Sequence, residues 1–247
     1  MSEQATFWEH LDELRSVIIR SLLVVVVAAV AAFFLKDWLF SIVLAPRSSD
    51  FISYRLIGID DVFQISLMNT GLTEQFMTHM RVAIYAGLLL ASPYVLYQLF
   101  GFIAPGLYQN ERKAATWIGI SAYAMFLLGT LVNYLLIFPL TVRFLGTYQV
   151  SPDVANMLTL QSYIDTFIGM SFVMGVVFEL PVVCAILGKM GLINGRMMAQ
   201  YRRHAVVAIL IVSAIITPTT DAFTLLIVAL PIWLLYEVSI WIVRIKN

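Results

Sequence analysis

Apolar residues in this chain gather into long unbroken runs, not into the alternating or one-sided stripes of a soluble domain. Six runs read as transmembrane helices, at about 16–36, 76–100, 114–139, 161–187, 204–217 and 223–243. A spanning helix needs ~20 apolar residues, and the first four runs meet that length. The fifth is short, since residues 205–216 give roughly 18 Å of helix against a hydrocarbon core of ~30 Å. Glu237 breaks into the sixth and leaves only 222–236 uninterrupted. Two adjacent short spans predict local bilayer thinning or packing against a partner. Pro93, Pro181 and Pro231 fall inside the second, fourth and sixth spans, where each removes a backbone donor and bends its helix. The expected fold is an all-α polytopic membrane protein, one integral domain over 1–247, with bent helices forming a concave wall.

Between the first two spans, segment 37–75 is long enough for structure of its own. Pro46 and Gly71 interrupt it, and Phe51, Leu56, Val62, Ile65 and Leu67 supply apolar positions, which predicts an external cap of short helices. Ala83, Gly87 and Ala91 recur every four residues and offer the second span a face for close packing. No internal repeat is evident, which argues against an inverted-repeat transporter.

Charge sets the orientation. Arg15, Arg20, Arg112, Lys113, Lys189, Arg196, Arg202, Arg203, Arg244 and Lys246 fall on one side of these spans. Lys36, Arg47, Arg55, Arg81 and Arg143 fall on the other. The basic side is the cytoplasmic one, so both termini are expected in the cytoplasm. The first run is expected to remain as an anchor, because Glu3, Glu9, Asp12 and Glu13 precede it where a secretory signal would carry basic residues.

Composition agrees with the pattern. The 247 residues are 61% hydrophobic and 12% charged, half the charge of a soluble domain. Net charge is zero, so nothing suggests nucleic-acid binding. Cys184 is the single cysteine, which excludes an internal disulfide and a cysteine-based metal cluster. His10, His79 and His204 lie far apart, and no metal or cofactor is expected. There is no phosphate-binding Gly-Lys-Ser/Thr triplet and no nucleophile–base arrangement, so no enzymatic chemistry is expected either.

Against this background one acid stands out. Glu179 lies in the apolar run 167–187, eight residues from its end, or about 12 Å along a helix. A carboxylate at such depth costs roughly 2.5–3.5 kcal/mol on insertion scales. Its side chain is too short to reach the surface, so it must face protein or water. With Pro181 two residues on, it marks an intramembrane polar site, and taken alone it suggests an ion-coupled carrier.

Two further acids lie at the cytoplasmic surface. In Thr6-Phe7-Trp8-Glu9-His10-Leu11-Asp12-Glu13-Leu14-Arg15, Glu9 completes a capping box with Thr6. Glu13 sits four residues later, a like-charge spacing that a cationic partner would relieve. Arg15 and Arg20 could supply that partner internally. Glu111 follows Asn110 at the start of the third span, where an acid also complements the helix dipole. Two carboxylates from different loops would suit two guanidinium groups, whose planar fork binds carboxylate bidentately.

These residues resemble the TatC family, the core receptor of twin-arginine protein translocation. The resemblance rests on His10-Leu11-Asp12-Glu13-Leu14-Arg15 and on Phe102-Ile103-Ala104-Pro105-Gly106-Leu107-Tyr108 with Glu111. Leu44-Ala45-Pro46, Phe178-Glu179-Leu180-Pro181, Thr217-Pro218 with Asp221, and Leu230-Pro231 with Glu237 continue it in order along the chain. It implies a glove-like wall that binds the arginine pair of signal peptides through Glu13 and Glu111, with Phe102 as an apolar support. It further implies Glu179 as the intramembrane acid, Pro46 in the external loop, Thr217 as a partner-helix contact and Asp221 as an external structural position. Implied partners are twin-arginine signal peptides of folded cargo and single-span TatA/TatB-type subunits, in a self-associating complex of the bacterial inner membrane powered by the proton-motive force. The rival reading is a proton- or sodium-coupled small-solute transporter with Glu179 as coupling carboxylate. It accounts for Glu179 and Pro181 but not for the acids at Glu13 and Glu111.

Overall fold

A computed structural model of the chain describes residues 2–58, 61–103, 112–149, 151, 156–217 and 221–246. Helix dominates, at 81%, and the expected all-α class holds. In order, the helices are α1 (Ser2–Phe33), α2 (Lys36–Val43), α3 (Ile52–Leu56), α4 (Glu74–Ile103), α5 (Arg112–Val132), α6 (Phe138–Thr147), α7 (Leu160–Val177), α8 (Leu180–Lys189), α9 (Gly195–Gln200), α10 (Arg202–Ile216) and α11 (Ala222–Lys246). A 3-10 turn, Ala45–Arg47, follows α2, and a π-helical turn, Asn133–Ile137, joins α5 to α6. Contacts divide the chain into two compact units, one of Met1–Leu39 and His79–Ala124, the other of Phe40–Thr78 and Met125–Asn247.

In the first unit α1 and α4 meet at small residues. A methyl group on Gly87 would collide with the backbone of Ala29, so the two helices touch main chain to main chain. Ala83 and Ala91, four residues to either side, are 2% and 3% exposed. The four-residue spacing is therefore an internal packing face. His79 stacks on Phe33 with ring centroids 4.0 Å apart, and its Nε2 lies 3.0 Å from the Phe33 carbonyl, one of the acceptors left open at the end of α1. Pro93 does not interrupt α4. It leaves the Leu89 carbonyl without its helical donor, and the Ser92 hydroxyl donates to that carbonyl at 2.7 Å.

In the second unit the segment between α2 and α4 holds short helical pieces, and three tyrosines nail it down. Tyr134 and Tyr163 donate to the carbonyls of Ile42 and Val43, at 2.9 and 3.0 Å, which closes the C-terminus of α2. The Tyr54 hydroxyl lies 2.8 Å from the Pro46 carbonyl and 2.9 Å from that of Pro139. Tyr54 is fully buried, and burial pushes its hydroxyl above the ordinary tyrosine range, with the Arg143 guanidinium pulling weakly the other way. One further feature lay outside the helical reading. Strands β1 (Leu67–Met68) and β2 (Leu158–Thr159) pair in parallel, Leu67 opposite Leu158. Glu74 clamps this junction: its Oε2 accepts from Thr70 N, Gly71 N and Thr70 Oγ1, and its Oε1 from Gln161 N.

Two sequence boundaries need correction. The third span does not end at 139. Pro139 follows the π-helical turn, in which the Phe138 amide donates to Asn133, and it occupies the first turn of α6, where a proline is tolerated. The apolar stretch thus runs Ile118–Thr147. Nor is the sixth span short, because α11 passes through Glu237, whose charge is met by Arg202 at 2.6 Å, and gives an apolar stretch of 23 residues. Of the three prolines expected to bend helices, only Pro181 coincides with a break between helices. Among the described residues five helical stretches are long and apolar enough to cross a membrane, and α10, with 15 residues, is not one of them.

Candidate functional site

The acidic end of α1 belongs to the first unit. Asp12 and Glu13 are both exposed there, with Arg15 and Arg20 close by in sequence and also exposed. Asp12, Arg15, Ser16, Ile19 and Arg20 line an open groove of about 350 Å³. Their spacing places them on one helix face, so Asp12 shares its groove with two arginines. Phe102, in the last turn of α4, is half-buried. Glu111 lies outside the described residues, and so do residues 104–110.

Glu179 belongs to the second unit, at the break between α7 and α8. The reason for the break is chemical. Pro181 has no amide hydrogen, so the Val177 carbonyl loses its helical donor, and Glu179 N turns back to Val176 O at 3.1 Å instead. Phe178 and Glu179 both keep right-handed helical backbone angles, which makes the break a bend and not a reversal. The bend packs tightly. A side chain on Gly129 would strike Met174 O and the Phe178 ring, and one on Gly175 would strike Phe126. Glu179 is 9% exposed, and neither carboxylate oxygen accepts a hydrogen bond from the described residues. Most buried polar groups are satisfied, so a carboxyl with two orphan oxygens is an exception that asks for a partner.

A second buried polar group lies in the same unit. Asn133, fully buried in the π-helical turn, donates to Ser171 Oγ on α7 at 2.7 Å, while its Oδ1 has no partner among the described residues. Such turns gather at functional positions. The sequence reading passed over it, although an asparagine inside an apolar run is a signal of the same kind as Glu179.

Thr217 is buried at the C-terminus of α10, with no partner for its hydroxyl among the described residues. Ser213, one turn earlier, and Thr224 on α11 are in the same condition. Beside Thr217, which the sequence singled out, Ser213 and Thr224 add buried hydroxyls that it did not. Asp221 has a structural role: its Oδ1 accepts from Thr224 N at 2.7 Å and caps α11. Pro46 is buried, its carbonyl held by Tyr54. Among the described residues no group of three or more His, Cys, Asp or Glu side chains could hold a metal ion.

Comparison with known proteins covers nearly the whole chain. The family described as Sec-independent protein translocase protein (TatC) matches residues 9–231. The TatC protein of Carboxydothermus hydrogenoformans is 33% identical over 240 residues, spanning 97% of this chain and 93% of that one. That of Deinococcus radiodurans is 34% identical over 241 residues, with 98% and 86% covered. Among solved structures, a crystal structure of the twin arginine translocase receptor TatC in DDM aligns with a TM-score of 0.79 at 29% identity, covering 94% of this chain and 98% of that one.

Proposed function

Because this chain belongs to the TatC family of Sec-independent protein translocase proteins, we propose that it receives the arginine pair of signal peptides at Glu13 and Glu111 and assembles with single-span TatA/TatB-type subunits. It is a multi-pass membrane protein of the translocase and not an enzyme. The observation that carries the reading is the exposure of Glu13 beside Asp12 at the end of α1, where a carboxylate stays solvated and an arriving guanidinium keeps its water until contact. Phe102 would support the apolar part of the peptide. Pro46, held by Tyr54, would keep the external cap in place, and Thr217 would meet a partner helix.

In this reading the chain is one integral domain with six spans and a concave wall, α10 being the short fifth span in a thinned bilayer. Both termini face the cytoplasm of a bacterial inner membrane, and the proton-motive force drives transport. Glu179 is the docking point inside the membrane, offering its two oxygens to a polar group on a partner helix or on the inserted peptide. The small-solute carrier explains Glu179 and Pro181 but not the acids at Glu13 and Glu111, and it leaves the match over residues 9–231 without a reason.

The deciding experiment is binding of an arginine-arginine signal peptide against its lysine-lysine version to purified protein. Binding should weaken with lysine, and Glu13→Ala and Glu111→Ala should each weaken it, non-additively if both grip one arginine pair. Equal affinity for the two peptides would sink the reading.

A further inference from the structure

In the second unit α8, α9, α10 and α11 converge at one end, and that end is strongly basic. Four contacts define the convergence. A side chain on Gly188 would press on Val243, and one on Gly195 would run into the Arg244 stem. Tyr236 donates to the Met198 carbonyl at 2.8 Å, and Arg202 pairs with Glu237. Beneath lies an apolar core of Cys184, Met198, Ile240 and Val243, so α9 is a rigid platform and not a loose loop. Lys189, Arg196, Arg202, Arg203 and Arg244 all surround this platform and are exposed. Glu237 is the one acid within it, and it is already engaged by Arg202. Among the described residues Arg196, Arg203 and Arg244 have no acidic partner.

The level of the platform relative to the membrane can be read from its rim. Helices α8 and α11 are apolar up to this end, and Trp241 and Tyr201 are 66% and 55% exposed beside it. Exposed tryptophan and tyrosine at the end of apolar helices mark the headgroup layer. Guanidinium groups held there, unpaired and close to lipid phosphate, meet the chemistry for which their fork geometry is suited. We propose that this platform binds the headgroup of an anionic phospholipid, its phosphate held by Arg196 and Arg244 across Gly195 with Arg203 adding charge. Gly195 matters because its missing side chain lets the Arg244 stem lie directly on the start of α9, next to Arg196.

The test uses the full-length protein in detergent micelles, with phosphatidylglycerol and phosphatidylcholine as probes and retained lipid counted by native mass spectrometry. Phosphatidylglycerol should be retained roughly tenfold more strongly than phosphatidylcholine, and the R196Q/R203Q/R244Q protein should lose that preference. The R196K/R203K/R244K protein should keep part of it. Inorganic phosphate added in excess should displace little of the lipid, since it lacks the acyl chains that Trp241 and Tyr201 flank; full displacement would overturn the lipid assignment in favour of a free anion. Equal retention of both lipids by the unaltered protein, or an unchanged preference in the glutamine protein, would overturn the proposal. If the glutamine protein does not fold, the unaltered protein decides: a preference that survives high salt undiminished counts against a phosphate held by exposed charges.

Discussion

Asn133 Nδ2 donates to Ser171 Oγ at 2.7 Å, and this bond ties the π-helical turn to α7 between two side chains that are almost wholly buried. Hydrogen bonds between membrane helices contribute modestly, about 0.6 kcal/mol on average and up to about 1.7. Ser171→Ala should sit at or above the top of that range, because it leaves both polar atoms of Asn133 unpaired. Chemical denaturation in detergent, with Asn133→Leu completing a double-mutant cycle, measures the coupling. A coupling near zero would mean that the pair is not formed.

Glu179 should behave in the opposite sense. Its carboxyl is buried with both oxygens unpartnered among the described residues, so Glu179→Leu removes a polar group that these residues do not satisfy. Stability should rise by about 1–3 kcal/mol. Signal-peptide docking should survive Glu179→Gln while translocation of folded cargo fails. A glutamine protein that translocates normally contradicts the role given to this acid.

Glu74 accepts four hydrogen bonds through its two oxygens. Glutamine cannot reproduce them, because its amide would present donors to a main-chain donor. Glu74→Gln should cost about 1–3 kcal/mol and expose the segment before α4 to protease. Limited proteolysis, followed by mass mapping of the fragments, checks it.

At Gly87 the expected defect is steric. The added methyl of Gly87→Ala meets Ala29 main chain, which cannot move aside as a flexible side chain would. Overpacking of this kind costs about 1–3 kcal/mol. Gly101→Ala is the control, since nothing lies within 4 Å of that position. Thermal unfolding of the two proteins side by side should separate them.

Much of this architecture was legible in the chain, and the failures share a cause. The apolar runs located every long helix, because length and hydropathy are local properties. The packing face of α4 was visible in Ala83, Gly87 and Ala91 for the same reason, though its partner α1 was not. The span end set near 139 and the break set at Glu237 misled because each was judged from the local sequence alone. Proline ends many helices, but a π-helical turn placed Pro139 in a first turn, where its missing donor costs nothing. A charge ends many spans, but Arg202, 35 positions away in sequence, neutralises Glu237. Tyr54, Tyr134 and Tyr163 read as ordinary apolar residues, since the carbonyls they serve come from distant parts of the chain. At the site, Glu179 and Pro181 were conspicuous locally, whereas Ser213 and Thr224 gain meaning only from burial.

The reach of Tyr54 also has a consequence in time. Its hydroxyl serves a carbonyl 8 residues away and another 85 residues away. Glu74 likewise waits for Gln161, and Leu67 for Leu158. During synthesis at ~5–20 residues per second, the gap from Tyr54 to Pro139 takes roughly 4–17 s. For that interval segment 40–75 is already made but has nothing to close against. The newborn protein therefore passes through a stage in which this segment lies open, and chaperones or proteases that reach it have seconds in which to act.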